Sequence, residues 1–224
     1  MSARSRYDKE LKGVSDELVL MCRYIETAIE KCVKALIDRD YDLAREVYEV
    51  DRQIDRMERD IEQRCLKILV MEHPVAKDFR EVSAALKMIT DLERIGDQAW
   101  DIAEITTQFG DGEYIKKVER IQQMAAIVIQ MVKDGVQAYI NRDLELARSL
   151  DVTDDKVDDL FNAVMSDLTA LIKKNPDNAE QAVMFMMITK YLERIGDHAV
   201  NIGEWVEYAI TGYHPLTETL AEKK

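Results

Sequence analysis

The residues whose types and spacing are best suited to chemistry in this chain are carboxylates that recur in two copies of one motif. The hexapeptide Leu-Glu-Arg-Ile-Gly-Asp occurs at positions 92–97 and returns unchanged at 192–197. Each copy contains an acid, three other residues and a second acid, and these acids are Glu93, Asp97, Glu193 and Asp197. Carboxylate oxygens are ligands for hard cations, so each copy could hold a metal ion.

On a helix these acids share one face. With Glu93 at zero and about 100° per residue, Asp97 falls at about 40°. Asp101 and Glu104 fall at about 80° and about 20°, so the four acids lie within an arc of about 80°. The corresponding positions of the second copy are Asn201 and Glu204. Apolar residues occupy the opposite side of the helix, so we expect the core on that side and the carboxylates exposed to water.

The stripe of acids has two interpretations. In a chain that is 33% charged, a solvated helix face is the simpler one. However, like charges four residues apart destabilise a helix by roughly 0.2 to 0.5 kcal/mol per pair, and a solubilising face would more naturally alternate Glu with Lys. Arg94 and Arg194 lie to one side of the stripe and could relieve only part of the repulsion. We therefore expect a bound cation to supply the rest.

A second pair of acids precedes the hexapeptide in each half of the chain. Asp51 and Asp55 are four residues apart, and Asp154 and Asp158 occupy the matching positions of the second half. Both pairs again lie on one stripe of a predicted helix. Each half is therefore expected to contain two acidic helices.

The remaining sequence predicts an all-α protein. Gly and Pro are few, with 8 and 3 residues among 224, and apolar residues recur at helical spacing. Two matching turns place helix N-caps at Asp40 and Asp143. We predict two tandem antiparallel three-helix bundles, the first at 1–110 and the second at 111–224 with a short polar tail. The predicted helices are 6–39, 41–71, 75–109, 113–141, 143–174 and 177–211.

Composition excludes several classes of function. A formal charge of -13 disfavours binding to the nucleic-acid backbone, which needs a basic patch. The start of the chain has no apolar stretch of the signal-peptide type, and its longest apolar run is too short to cross a bilayer, so we expect a cytoplasmic protein without membrane insertion. The three cysteines, Cys22, Cys32 and Cys65, are expected to be buried thiols because none belongs to a Cys-x-x-Cys motif.

The twin hexapeptides, the upstream Asp-x-x-x-Asp pairs and the segment Asp-His-Ala-Val-Asn-Ile-Gly-Glu-Trp at 197–205 resemble the PhoU family over nearly the whole chain. The resemblance implies a non-enzymatic regulator of phosphate signalling, commonly dimeric. Such a protein lowers phosphate uptake and keeps the phosphate-starvation response off when phosphate is plentiful. The partners that the family implies are the ATPase subunit of the phosphate ABC transporter and a sensor histidine kinase.

The resemblance also implies multinuclear metal clusters on the surface of each bundle. The residues that match the family's acidic motifs are Glu93, Asp97, Glu193 and Asp197, with Asp51, Asp55, Asp154 and Asp158 as facing ligands. Asp101 and Asn201, the next positions on the two stripes, complete the candidate ligand sets. The two copies therefore differ at this position, and they differ again where Gln98 is replaced by His198. Asp101 adds charge, so the two sites could differ in metal preference, whereas we expect His198 to pack or to form a hydrogen bond. Carboxylate ligands favour iron, manganese or magnesium, and zinc stays open although it normally recruits Cys or His.

Two other classes of function compete with this interpretation. The first is a carboxylate-bridged di-iron enzyme, but such bundles take their His ligands from Glu-x-x-His motifs, and none occurs in this chain. The second is a metal-independent helical adaptor whose acidic faces dock on basic partners. The sequence does not separate that adaptor from a metal-dependent one. No glycine-rich phosphate loop and no catalytic triad is visible, so we expect no catalysis.

Overall fold

The structure is a computed structural model that describes residues 3–110 and 112–215. The described residues form six long helices and no strand, which confirms the predicted all-α class. None of these helices is both long and apolar enough to cross a membrane. The helices are α1 (Ala3–Asp38), α2 (Tyr41–Glu72), α3 (Ala76–Thr106), α4 (Glu119–Asn141), α5 (Leu144–Lys174) and α6 (Ala179–Thr211), with a short 3-10 helix at Pro176–Asn178 before α6.

The second helix of each half begins at the predicted aspartate cap. The side chain of Asp40 accepts a hydrogen bond from the backbone N–H of Leu43 at 2.9 Å. Asp143 accepts the same bond from Leu146 at 3.0 Å. Each cap satisfies a backbone donor that the first turn of a helix leaves unpaired. The two predicted N-caps are therefore confirmed, and they fix where α2 and α5 begin.

The connection between the halves is longer than the sequence predicted. We expected the third helix to end near 109 and the fourth to begin near 113, whereas α3 ends at Thr106 and α4 begins at Glu119. The reason is that side chains of the connection pack against the two bundles, which holds this segment in a non-helical conformation. The Tyr114 hydroxyl donates to the carbonyl of Leu36 at 2.8 Å, and its ring stacks edge-on against Phe185. The boundary that we placed between residues 110 and 111 falls in this connection.

The three helices of each half pack on one another, and α3 and α6 then pack together along the middle of the molecule. They run antiparallel, because Asp101 of α3 bonds Tyr191 while Asp91 bonds Asn201 at the other end of the contact. One buried apolar cluster includes residues from all six helices. Its continuity holds the two halves, and hence their acidic stripes, in a fixed relation.

The cysteines contribute only to this core. All three are buried and free. Burial raises the pKa of Cys22 to about 11 and that of Cys65 to about 12. Such thiols are protonated at neutral pH and are poor nucleophiles or metal ligands, as the sequence predicted.

Candidate metal centres

The first acidic cluster forms where α2 lies against α3. Asp51 and Asp55 of α2 face Asp97 of α3, and one carboxylate oxygen from each of the three lies within 4.8 Å of the others. Oxygens this close can coordinate one cation together, at the metal–oxygen bond lengths of about 2.0 to 2.6 Å that hard metal ions require. The structure therefore brings together residues that are more than 40 positions apart in sequence.

Asp51 is the buried member of this cluster. This residue is only 8% exposed. Within the described part of the chain, no hydrogen-bond donor reaches its Oδ1 atom. Gly96 of the hexapeptide leaves room for the Asp51 carboxylate, because a Cβ on residue 96 would lie only 3.1 Å from that oxygen. A buried carboxylate oxygen without a partner is costly, and a bound cation would satisfy it.

Burial has a large effect on the protonation of Asp51. Desolvation, together with the nearby charges of Asp55 and Asp97, raises the pKa of Asp51 from 3.8 to about 7. The pKa of Glu93 is also raised, first by burial and then by Asp97. Both shifts have the same two causes, burial of the carboxylate and the charges of neighbouring acids. A metal ion would reverse this electrostatic penalty.

The expectation that the acidic stripes are exposed to water was wrong for Asp51 and only partly right for its neighbours. Asp51 is buried, and Asp55, Glu93 and Asp97 are half-buried. The helical wheel placed the acids correctly opposite the apolar side of α3. It did not show that the acidic face of α2 would cover that stripe, so that the two stripes meet across the helix pair.

Two further acidic residues, Asp101 and Glu58, lie around the first cluster. The sequence indicated the first of them as a candidate ligand but not the second. Asp101, a predicted ligand, lies near enough to raise the pKa of Asp51, and it also accepts a hydrogen bond from Tyr191 of α6. Glu58 was missed, although it is three residues after Asp55 on the same stripe. Its charge raises the pKa of Glu93, and burial raises its own pKa. Glu58 therefore belongs to the rim of this cluster.

The second cluster lies between α5 and α6 and uses the matching residues, although among the described residues no three of its acids bring their oxygens as close together as those of the first. The Oδ1 atom of Asp154 is buried, has no donor among the described residues and lies within contact distance of where a Cβ on Gly196 would be. Desolvation, then Asp197, Asp158 and Glu193, raise the pKa of Asp154 to about 7. The sequence missed Asp151, three residues earlier on the same stripe, whose charge acts in the same direction.

Asn201 has a partner that the sequence did not predict. Its side-chain amide donates to Asp91 of α3 at 3.2 Å, and His198 Nδ1 lies 2.9 Å from the same carboxylate oxygen. His198 is therefore a hydrogen-bonding residue, as expected. Asp91 lies in the first half and carries no repeat signal, because the corresponding residue of the second half is Tyr191. These contacts link the second acidic face to α3.

The donor set fits a hard metal ion. Both clusters consist of carboxylates from two adjacent helices, and each has one buried oxygen that lacks a hydrogen bond in the described structure. Carboxylate oxygens suit manganese, iron or magnesium. The cysteines, whose thiolates would favour softer metals, are buried in the core and do not belong to either cluster. His198 is already bonded to Asp91. A site of this composition would hold its ion mainly by neutralising negative charge.

The stability of the metal-free protein should depend on pH in an uncommon direction. Asp51 and Asp154 have a pKa of about 7 in the folded state, well above the unfolded value of about 3.9. Between these values the folded state binds more protons than the unfolded state, so the free energy of unfolding should fall as the pH rises from about 4 to about 7. Thermal unfolding of chelator-treated protein should therefore give a higher midpoint at about pH 6 than at about pH 8. An equal midpoint at both values, or a higher one at the alkaline pH, would contradict the burial of these carboxylates.

Fold and site together define a duplicated helical-bundle protein with two carboxylate clusters. The family model described as the PhoU domain matches residues 18–106 and 121–206. The chain belongs to the PhoU family. The two matches coincide with the two three-helix halves, as the internal repeat of the sequence indicated.

Relatives and solved structures agree with this membership. The chain is 33% identical over 210 residues to the phosphate-specific transport system accessory protein PhoU homolog of Clostridium acetobutylicum, covering 93% of this chain and 96% of that protein. The Pseudomonas aeruginosa homolog is 34% identical over 92% of this chain and 86% of its own length.

Among solved structures, the crystal structure of PhoU from Pseudomonas aeruginosa matches with a TM-score of 0.87 and 34% identity, covering 92% of this chain and 100% of that one. The phosphate transport system regulatory protein PhoU from Streptococcus pneumoniae matches with a TM-score of 0.85 and 25% identity, covering 93% of this chain and 98% of that one. Proteins of this family are named as accessory or regulatory components of phosphate transport and not as enzymes.

Proposed function

We propose that this chain is a cytoplasmic, metal-binding adaptor that lowers phosphate uptake and represses the phosphate-starvation response when phosphate is plentiful. Membership of the PhoU family makes it an accessory protein of phosphate transport. The finer role rests on one observation, the buried and unpaired Oδ1 of Asp51 within a cluster of carboxylates. That atom is poorly explained by a face whose only function is solubility.

The proposed ligands of the first centre are Asp51, Asp55, Glu93 and Asp97, with Asp101 beside them, and those of the second are Asp154, Asp158, Glu193 and Asp197. A bound cation would neutralise each cluster and pull the two helices that supply it into one arrangement. The surface that partners contact would then depend on metal. Asn201 enters this proposal as an orienting residue, because its amide is bonded to Asp91.

The proposed partners are the ATPase subunit of the phosphate ABC transporter and a sensor histidine kinase. Support comes from the family's accessory role in phosphate transport and from the rigid pairing of α3 with α6, which presents both clusters on one framework. A metal-independent adaptor would use the same acids as plain charges. The difference between the two is whether removing metal changes the affinity for a partner.

We also propose a homodimer. Large apolar side chains that are exposed in the single chain concentrate around the turn between α2 and α3: Leu66, Val70, Met71, Val75 and Phe79. Exposed apolar groups in such a concentration are typical of a contact surface. Sedimentation of the protein at micromolar concentration would give twice the mass of the chain if a second copy covers this surface.

Partner binding with and without metal tests the proposed function. The transporter's ATPase subunit would be immobilised and exposed to the chain as purified, after treatment with chelator, and after manganese is restored. A metal-dependent adaptor should lose binding on chelation and regain it with manganese. Binding that chelation leaves unchanged, but that falls steeply with salt, would show that the acids act only as charges.

A further inference from the structure

The second acidic cluster has a cation beside one of its acids, on a side chain that is 42% exposed. Lys190 lies three residues before Glu193 on α6, and its ammonium Nζ is 2.5 Å from both carboxylate oxygens of Glu193. The side chain of Glu193 is only 14% exposed, so the carboxylate end of this ion pair is largely shielded from water. The ammonium also lies 5.6 Å from the centre of the Phe161 ring. Lys190 therefore engages both oxygens of a proposed metal ligand.

The first cluster lacks this arrangement although its backbone is a repeat of the same motif. Thr90 takes the place of Lys190, and its hydroxyl donates to a backbone carbonyl of its own helix. Glu58 takes the place of Phe161. Where the second cluster has a cation above an aromatic ring, the first therefore has a neutral hydroxyl and a further acid.

Arg94 is the cation that pairs with the first cluster, and it contacts single oxygens of two ligands instead of both oxygens of one. It contacts one oxygen of Asp97 at 2.8 Å and one oxygen of Glu93 at 3.4 Å, and its side chain is 55% exposed. Asp97 also belongs to the group of three aspartates whose carboxylate oxygens lie close together. In the described residues, the acids of the second cluster form no such group.

We infer that Lys190 is a built-in competitor for the cation at the second cluster, so that the first cluster fills at lower metal concentration and the second responds to changes in metal supply. This inference rests on the metal sites of the proposed function. An incoming cation must move Lys190 away from Glu193 or bind beside its positive charge, and either requirement weakens binding. The first cluster has no equivalent lysine. Its cation, Arg94, contacts only one oxygen of Glu93 and one of Asp97, so neither carboxylate has both oxygens engaged and the requirement is weaker there.

The exchange of Lys190 and Thr90 between the two halves tests the inference. Chelator-treated protein would be titrated with manganese chloride alone and followed by calorimetry. Wild-type protein should show a tight class of sites that Asp51→Asn removes and a weaker class that Asp154→Asn removes. Lys190→Thr should tighten the weaker class by about tenfold or more, because a charge within about 4 Å of a bound cation acts in a medium less polar than water. Thr90→Lys should weaken the tight class by a similar factor.

Lys117→Thr serves as the charge-matched control, because Lys117 is 86% exposed and pairs with Glu119 away from both clusters. It should leave both classes unchanged. If both classes are present but Lys190→Thr leaves the weaker one unaltered, the competitor role of Lys190 is wrong while the metal sites stand. If wild-type protein binds no manganese, or if neither aspartate variant removes a class, the metal sites themselves are wrong. Circular dichroism of each variant would show that the helices are retained.

Discussion

Replacing Asp51 with asparagine is expected to stabilise the metal-free protein and to remove most of the stabilisation that metal provides. In the folded chain the Asp51 carboxylate is buried, unpaired at Oδ1 and surrounded by other acids. Removing its charge should raise the free energy of unfolding by about 1 to 3 kcal/mol near pH 8. This single substitution would thus stabilise the metal-free protein while weakening its binding of the metal ion.

Thermal unfolding with and without manganese measures both effects. At a metal concentration about 100 times the dissociation constant, binding to the folded wild type contributes about 2.7 kcal/mol, or roughly 5 to 10 °C in Tm for a chain of this size. The Asp51→Asn variant should gain less than half of that shift. Asp16→Asn, an exposed change on α1, should alter neither Tm nor the response to metal. A variant that loses stability without metal, or that keeps the full response to manganese, would contradict the proposed site.

The second large effect is expected in cells. A chain in which Glu93, Asp97, Glu193 and Asp197 are all alanine should fold but fail to lower phosphate uptake when phosphate is plentiful. Both clusters lose half of their proposed ligands, and the remaining aspartates would bind a cation weakly. Uptake of labelled phosphate by a host that lacks its own copy of the protein, complemented with each variant, measures the result.

The control for this experiment changes the same number of charges outside the clusters. It replaces four exposed acids, Glu30, Glu119, Asp177 and Glu180, and should restore repression as the wild type does. Equal repression by the cluster variant would show that regulation does not pass through the acidic clusters. Loss of repression in both variants would instead indicate that overall negative charge is what partners recognise.

Much of the architecture could be predicted because the signals for it are local. Helix N-caps at Asp40 and Asp143, the helical period and the internal repeat each depend on residues close in sequence. Which acids share a stripe within one helix was also predictable, since residues at i and i+4 share a face whatever the helix packs against. Glu58 and Asp151 were nevertheless missed, and the pairing of the two stripes in each half was implied only by the family resemblance.

The parts that could not be predicted depend on how helices from distant segments meet. The burial of Asp51 follows from the contact of α2 with α3, which a helical wheel does not contain. The bonds from His198 and Asn201 to Asp91 depend on the antiparallel register of α3 and α6. The sequence shows Lys190 three residues before Glu193. Its significance appears only when its ammonium is placed on both oxygens of that residue.

The central claim is that the duplicated carboxylate clusters are metal sites. Elemental analysis of protein purified without an affinity tag tests it most directly, by comparing the wild type with the variant that lacks Glu93, Asp97, Glu193 and Asp197. The account predicts stoichiometric iron, manganese or another hard metal in the wild type and its loss in the variant. Equal and substoichiometric metal in both would contradict the claim and leave a metal-free acidic adaptor.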